Sequence, residues 1–253
     1  MAIHDTAAAG YRRAGDDYER ARPAYPGEAL DAMVSGLGLG PSSVVVELGA
    51  GTGKFSRLMA PRVGLLVATE PVAEMRAHLV AAVTNPVVAA TAEAVPVAAG
   101  RADAVVAATA FHWFQADVAL AEAERVLRPG GGIGLTWNNP DRRVDWVARV
   151  WGVVDQARGS VPGNRDMRWQ EAFVAAPAFS PLASASFSHE VVLTSDQLED
   201  RVTSISFVAA LPDAEREALL TRVRAIIATD ADLSAGATVR LPYRTDVYWS
   251  TRR

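Results

Sequence analysis

The chain has 253 residues, a formal net charge of −4 and no cysteine. This length suffices for one large α/β domain with a generous core. The charge argues against nucleic acid as the main partner, because phosphate binding needs clustered lysines and arginines. The lack of cysteine excludes disulfides, thiolate nucleophiles and thiolate-ligated metals. The sequence shows no apolar run of signal-peptide or membrane-spanning length, so we expect a cytoplasmic protein without membrane contact.

The first 38 residues combine charged and aromatic side chains and lead into a predicted helix near residues 27–37. They contain Tyr18, Arg22-Pro23 and Tyr25-Pro26. Composition alone favours a solvated amphipathic face. We predict that residues 1–38 form an N-terminal helical cap.

A short strand followed by a glycine-rich turn begins at Ser43. Three consecutive valines lead into Glu47-Leu48-Gly49-Ala50-Gly51-Thr52-Gly53, and a helix is predicted over residues 54–62. Glycine permits positive φ and a close approach of a ligand to the backbone, and the free N–H groups of the helix point at the same place. The spacing does not fit a phosphate-binding P-loop and fits a dinucleotide fingerprint poorly.

The second predicted strand, residues 64–70, ends in Glu70. Its two carboxylate oxygens can accept hydrogen bonds from both hydroxyls of a ribose. A nicotinamide site uses an acid in the same way, so Glu70 alone does not distinguish between adenosine ligands. A solvated strand end is the plain alternative.

Further strands and helices are expected to alternate up to residue 137. The predicted elements are a helix from Pro71, a strand over 86–90, a strand over 102–109, a helix over 115–127 and a strand over 133–137. His112 and Trp113 follow the fourth strand. Ligands of open α/β sheets bind outside the carboxyl ends of the strands, so these two rings are candidates for a site.

After residue 137 the alternation stops, and residues 138–180 are predicted to form a helical lid insertion that shapes a substrate pocket. Helices simply packed on the sheet are the alternative. The remaining elements are helices over 142–158 and 166–176, a strand over 187–193, helices over 195–211 and 213–229 and a strand over 238–251. The order predicts a single domain, 1–253, with a doubly wound, mostly parallel seven-stranded sheet, whose core is 39–137 and whose C-terminal part is 181–253.

Several ordered motifs resemble the class I S-adenosylmethionine (SAM)-dependent methyltransferases, in the small-molecule branch similar to the trans-aconitate methyltransferase group. They are the Y…RP.YP segment at 18–26, the turn at 47–53, T-A-E-A-V-P at 91–96, A-F-H-W-F at 110–114 and L-R-P-G-G at 127–131. The resemblance implies a Rossmann-like fold with strand seven antiparallel between strands five and six, and SAM as the cofactor.

The resemblance also implies which residues hold SAM. Arg22 would pair with its carboxylate and Tyr18 would line the pocket. The segment around Ala92 and Glu93 would read the adenine, although Thr91 stands where the family often has Asp. The full set of predicted cofactor contacts is Tyr18, Arg22, Glu47, Gly49, Ala50, Gly51, Gly53, Glu70, Pro71, Met75, Ala92, Glu93 and Thr109.

His112 and Trp113 are the predicted catalytic residues, with a purely structural histidine as the alternative. For a hydroxyl or ring-nitrogen nucleophile, His112 is the candidate base. A carboxylate nucleophile needs no base, and arginines such as Arg142 and Arg143 would orient it. No ordered cluster of metal ligands is visible.

The predicted function is methyl transfer from SAM to a small molecule with an oxygen or nitrogen nucleophile, with natural-product metabolism as one setting. Two alternatives stay open at this point: a protein that uses SAM without methyl transfer, such as a cyclase, and a nicotinamide-dependent oxidoreductase. The sequence does not indicate the substrate, the methylated atom or the oligomeric state.

Overall fold

The computed structural model describes residues 21–163, 165, 168–230, 233 and 238–253. The chain divides into two compact units. The first, called the sheet unit here, consists of residues 24–138, 162–187 and 245–253. The second, called the helical unit, contains residues 139–161 and 188–244 together with the segment that ends at Pro23. The predicted cap, core, lid and C-terminal part stay predictions, and residues 139–161 and 162–180 of the predicted lid fall in different units.

Seven strands form one sheet. They are β1 (Val44–Leu48), β2 (Leu65–Thr69), β3 (Val87–Val88), β4 (Ala102–Ala108), β5 (Leu127–Pro140), β6 (Ala183–Leu193) and β7 (Val239–Thr251). Their order is β3-β2-β1-β4-β5-β7-β6. The pairs β1–β2, β1–β4, β2–β3 and β4–β5 are parallel. The doubly wound sheet and the place of β7 between β5 and β6 are confirmed, and the strand order reverses between β1 and β4, where such sheets bind ligands.

The helices of the sheet unit follow its strands. They are α1 (Gly27–Gly36), α2 (Lys54–Met59), α3 (Ala73–Ala82), α4 (Ala116–Val126) and α6 (Arg168–Val174). The helical unit contains α5 (Asp145–Gln156), α7 (Ser195–Thr203), α8 (Ser206–Ala209) and α9 (Asp213–Thr229). Within the described ranges, no helix combines the length and apolar character needed to cross a membrane.

The predicted helix over 195–211 is wrong as a single element, because it divides into α7 and α8. The hydroxyl of Ser204 donates to the carbonyl of Arg201, and Ile205 is extended with φ −74° and ψ 124°. A predicted helix start at Pro71 is also wrong. Helix α3 begins at Ala73, and the preceding N–H of Val72 donates to a side chain instead.

Strand β5 begins six residues earlier than the predicted strand over 133–137, and the glycine run lies inside it. Ala102 pairs with Leu127 whereas Ala104 pairs with Gly132, so β5 carries extra residues opposite β4. A Cβ at Gly132 would lie 2.7 Å from the carbonyl oxygen of Ser250. Glycine is therefore required here because another strand approaches the backbone closely.

Apolar side chains cover both faces of the central strands of the sheet unit. On one face, Leu30 and Met33 of α1 belong to a buried cluster with Val45 of β1. On the other, Leu120 of α4 packs in a cluster with Ile133 of β5. Parallel strands covered on both faces are expected to be continuously apolar, as the valines of β1 are. This packing fixes the carboxyl ends of β1, β2 and β4 at one edge.

The helical unit has its own apolar cluster, which α5, α7 and α9 share with Tyr243 of β7. A charged side chain lies inside it: Arg201 is 3% exposed and its Nε donates to the Tyr243 hydroxyl at 2.7 Å. Its guanidinium also lies 6.0 Å from the ring centroid of Trp151. Aromatic faces and a hydroxyl thus stabilise a buried cation in this unit.

Candidate cofactor and active site

The three glycines of the turn after β1 all have positive φ, of 65°, 58° and 87° at Gly49, Gly51 and Gly53. Their surroundings differ. A Cβ at Gly49 would lie 3.0 Å from that of Ala110, and one at Gly53 would lie 2.8 Å from Leu79 Cδ1. A Cβ at Gly51 would meet nothing within 4 Å. The outer glycines therefore allow the turn to pack, whereas Gly51 borders open space that a ligand can enter.

Glu70 connects the end of β2 to this turn. Its Oε2 accepts a hydrogen bond from the Gly51 N–H at 2.8 Å, and its Oε1 accepts one from the Val72 N–H at 2.8 Å. Burial raises the pKa of Glu70, while these two backbone bonds oppose the rise. Glu70 is 6% exposed, so a solvated strand end is ruled out. Each carboxylate oxygen retains a second lone pair for a ligand hydroxyl.

Glu47 lies beneath the turn and not on its open side. The residue is 1% exposed, and its Oε2 accepts a hydrogen bond from the Ser56 hydroxyl of α2 at 2.6 Å. Its backbone carbonyl accepts another from the Thr69 hydroxyl at 2.9 Å. Burial raises the pKa of Glu47 to about 8, although the bond from Ser56 lowers it and the charge of Glu70 raises it further. At neutral pH the carboxyl is therefore mostly protonated.

Thr109 follows β4 and has a φ of 54°. Among the described residues it is the only one other than glycine with a positive φ. Positive φ is unfavourable for a β-branched residue and occurs preferentially at functional sites. Its hydroxyl lies 2.8 Å from the hydroxyl of Tyr25, and its N–H donates to the Thr136 carbonyl at 2.7 Å. Tyr25 was not predicted as a site residue, although it lies in the R-P-A-Y-P motif.

His112 and Trp113 occupy a single 3₁₀ turn over Phe111–Trp113, directly after β4 and Thr109. The Nε1 of Trp137, at the carboxyl end of β5, donates to Nδ1 of His112 at 3.2 Å. The segment lies against the glycine turn, because a Cβ at Gly49 would be 3.4 Å from the ring of Phe114. Trp137 was not predicted as a site residue; its only sequence signal was its position at the end of the strand next to β4.

The comparisons with known proteins agree with this arrangement. Residues 46–134 match the methyltransferase-domain family. A Schizosaccharomyces pombe protein named "Uncharacterized methyltransferase-like C25B8.10" is 32% identical over 238 residues, which cover 93% of this chain and 93% of that protein. The chain belongs to the class I SAM-dependent methyltransferases. Its resemblance to the trans-aconitate methyltransferase group stays a prediction.

Two further proteins are similar to this methyltransferase, one over part of its sequence and one in its fold. A Methylococcus capsulatus malonyl-[acyl-carrier protein] O-methyltransferase is 37% identical over 124 residues, which cover 44% of this chain and 42% of that protein. The YcgJ crystal structure from Bacillus subtilis has a TM-score of 0.57 and 17% sequence identity, and the match covers 89% of this chain and 98% of that one. The latter likeness shows the fold.

The methyltransferase uses SAM as its cofactor, and the turn fits such a ligand. Open space borders Gly51, where glycine alone leaves the backbone accessible. Beside it, Glu70 is anchored by two backbone N–H groups and has lone pairs left for a ribose diol. The family assignment removes the nicotinamide-dependent alternative, which the same acid had left open.

The segment predicted to read the adenine is held in place by helix α4. Ala92 is buried, and Glu93 accepts a hydrogen bond from the Gln115 N–H at 3.0 Å. The N–H of Val95 donates to Glu122 at 2.7 Å, and Arg125 donates to the carbonyl of Val95 at 2.9 Å. In this methyltransferase the segment therefore has a defined path near the carboxyl end of β3.

Four predicted cofactor contacts remain to be placed: Tyr18, Arg22, Pro71 and Met75. Tyr18 lies outside the described residues. Arg22 belongs to the helical unit, where its Nη2 donates to the Ser204 carbonyl at 3.0 Å. Met75 is 2% exposed on the buried face of α3, and Pro71 lies before that helix. Contacts of these residues with SAM stay predictions.

The arginines predicted to orient a carboxylate substrate are engaged by carboxylates of the helical unit. Arg142 forms an ion pair with Asp155, and Arg143 forms one with Asp141 at 2.5 Å. The guanidinium of Arg143 lowers the pKa of Asp141. Among the described residues, no group of three or more His, Asp or Glu side chains could hold a metal ion.

Proposed function

We propose that this methyltransferase transfers the methyl group of SAM to a small-molecule acceptor with an oxygen or nitrogen nucleophile. One observation carries the proposal: the ring-bearing segment after β4 packs directly on the glycine turn, since Cβ at Gly49 would lie 3.0 Å from Ala110 Cβ. An acceptor placed beside a cofactor on this turn would meet His112 and Trp113. Such close placement supplies much of the rate of a displacement reaction.

For the cofactor itself, we assign two roles from the hydrogen bonds described above. Gly51 leaves the backbone open to the ligand, and Glu70 accepts hydrogen bonds from its ribose. Gly49, Ala50 and Gly53 shape the turn, in which Ala50 donates to the Thr69 carbonyl at 2.9 Å. When bound, SAM supplies an electrophilic methyl group on a cationic sulfur.

Charge distribution favours a small acceptor over a polyanion. The net charge is −4, and much of the positive charge is neutralised by the chain's own carboxylates. The described ion pairs include Arg62–Asp31, Arg125–Glu122, Arg128–Asp103, Arg149–Asp230, Arg216–Asp213 and Arg224–Glu199. Nucleic-acid binding depends on basic groups that are available to phosphates. The name of the Methylococcus relative, an O-methyltransferase, supports an oxygen acceptor.

A labelling experiment tests the acceptor class. The protein is incubated with SAM carrying an isotope-labelled methyl group and with three separate acceptors: a small-molecule cell extract, unfolded protein and nucleic acid. We expect label in the small-molecule fraction only, and none with Gly51→Val, whose bulky side chain enters the space beside the turn. Transfer mainly to protein or nucleic acid would contradict the proposal.

The same experiment also tests the alternative that this protein binds SAM without transferring its methyl group. Calorimetry with S-adenosylhomocysteine measures cofactor binding independently of any acceptor. Binding by the wild type, its loss in Gly51→Val and no label in any fraction would together favour that alternative over methyl transfer.

A further inference from the structure

The hydrogen bond from Trp137 determines which proton His112 carries. Trp137 Nε1 lies 3.2 Å from His112 Nδ1. An indole nitrogen only donates, so Nδ1 must be the acceptor, and a neutral imidazole then has its single proton on Nε2. We propose that Trp137 is a positioning residue that holds His112 in the Nε2–H tautomer, so that His112 meets the acceptor molecule as a hydrogen-bond donor and not as a base. The second half of this proposal rests on the proposed function.

The packing around Trp137 keeps its indole N–H pointing in one direction. Trp137 is 2% exposed in β5, and its ring centroid lies 4.7 Å from that of Trp169 with an interplanar angle of 33°. Tyr248 of β7 makes an edge contact with it at 6.0 Å and 71°. Aromatic neighbours on two sides restrict the ring, and a restricted ring keeps its N–H aimed at one acceptor.

His112 is held in place by the turn that follows β4. The turn that carries it is closed by hydrogen bonds from the Trp113 N–H to the Ala110 carbonyl at 2.9 Å and from the Phe114 N–H to the Phe111 carbonyl at 3.1 Å. Phe111 is fully buried and anchors the turn in the core. The donor lies on β5, and the acceptor lies in the hydrogen-bonded turn that follows β4, the strand paired with β5, so their separation does not depend on a long connecting loop.

This tautomer changes the role expected for His112. A general base must offer a lone pair to the proton that it removes. At Nε2 of the neutral ring the position is occupied by a proton, and at Nδ1 the lone pair accepts from Trp137. Neither nitrogen can take up a proton unless the ring turns or the bond to the indole breaks.

The reaction compatible with such a donor moves no proton to the protein. The nucleophile, an oxygen anion or a neutral amine, uses its own lone pair to form the bond to the methyl carbon. The carbon–sulfur bond breaks, and its electron pair stays on sulfur. His112 retains its Nε2 proton and can donate it in a hydrogen bond that orients the acceptor, while an amine product loses its extra proton to water.

Nitrogen-15 NMR of the full-length protein, labelled at histidine, tests the tautomer without any acceptor. The chain has four histidines, and the signals lost in His112→Gln identify those of His112. At a pH where the ring is neutral, we expect the Nε2–H tautomer in the wild type and a mixture of both tautomers in Trp137→Phe, which keeps a ring but removes the donor. Tyr248→Phe is the control and should retain the wild-type tautomer. An Nδ1–H ring in the wild type, or an unchanged tautomer in Trp137→Phe, would overturn the proposal.

Rates of methyl incorporation from labelled SAM, with the small-molecule extract as acceptor, test the donor role. The side-chain amide of Gln can replace the Nε2–H donor, whereas Leu cannot. We expect His112→Leu to lose about ten-fold or more in rate, and His112→Gln to lose clearly less and to keep the wild-type pH–rate profile. Equal losses in both variants, with the acidic limb of the profile abolished in His112→Gln, would show a base and refute the donor role. If NMR finds the Nε2–H tautomer but no small molecule is methylated, the proposed function fails while the role of Trp137 stands.

Discussion

Replacing Glu47 by glutamine should remove part of the pH dependence of stability. Burial raises the pKa of Glu47 from 4.5 to about 8. Between these values the folded protein holds a proton that the unfolded chain has released. The free energy of unfolding therefore falls as pH rises through this window and levels off above the folded pKa.

The expected size follows from the same pKa difference. Each pH unit within the window corresponds to about 1.4 kcal/mol, so the wild type should lose about 2 kcal/mol between pH 6.5 and pH 8 through this group. His189, whose pKa is lowered by burial, makes stability rise with pH until the unfolded chain has lost that proton, but it is present in both proteins and cancels in the comparison of their slopes. Glu70, whose pKa is also raised, acts in the same direction as Glu47, and it is present in both proteins.

Chemical denaturation of the wild type and Glu47→Gln at several pH values from 6.5 to 8 measures this difference. The glutamine carbonyl can still accept the hydrogen bond from Ser56, so the variant is expected to fold. Glu28→Gln, at an exposed position of α1, controls for the loss of a carboxylate. Equal slopes in the wild type and Glu47→Gln would refute the reasoning, since they would mean that the buried carboxyl does not carry a proton in this range.

Other predictions concern the turn and its supports. Gly51→Ala should weaken binding of S-adenosylhomocysteine in calorimetry more than Gly53→Ala does. Gly53→Ala should lower the melting temperature more than Gly51→Ala does, because its Cβ would lie 2.8 Å from a neighbouring side chain. Equal behaviour of the two variants in both assays would contradict this. Glu70→Ala should weaken the same binding by about 1–3 kcal/mol, and an unchanged Kd would remove its ribose role. Tyr25→Phe should reduce the free energy of unfolding by about 0.5–1.5 kcal/mol in chemical denaturation, since Thr109 loses its hydroxyl partner; no change would show that the bond contributes nothing net.

The sheet could be predicted from the sequence because its signals are local. Consecutive valines in β1, glycines after it and the helical periodicity of α4 each lie within a few residues of one another. The extra residues of β5 could not be predicted, since the pairing of Gly132 with Ala104 depends on where two distant segments meet. The break between α7 and α8 likewise depends on one serine hydroxyl, whose choice of partner no periodicity reveals.

The candidate site was predictable where one residue type carries the chemistry. Glu70 was expected at the end of β2 because an acid is needed there, and the structure places it against the turn. The pairs that define the rest of the site join residues far apart in sequence: Tyr25 and Thr109 are separated by 84 positions, and His112 and Trp137 by 25. A single sequence gives no measure of such proximity, so the partner of His112, and with it the proton that His112 carries, had to come from the structure.

The way α4 holds the segment after β3 bears on sequence tolerance. Glu122 and Arg125 form hydrogen bonds with the backbone N–H and carbonyl of Val95, and the Ala94 N–H donates to the Thr91 carbonyl at 3.3 Å. None of these bonds uses the side chain of Thr91. The path of the segment is thus set by side chains of a helix about 30 residues downstream, so a substitution at residue 91 would leave these main-chain hydrogen bonds in place.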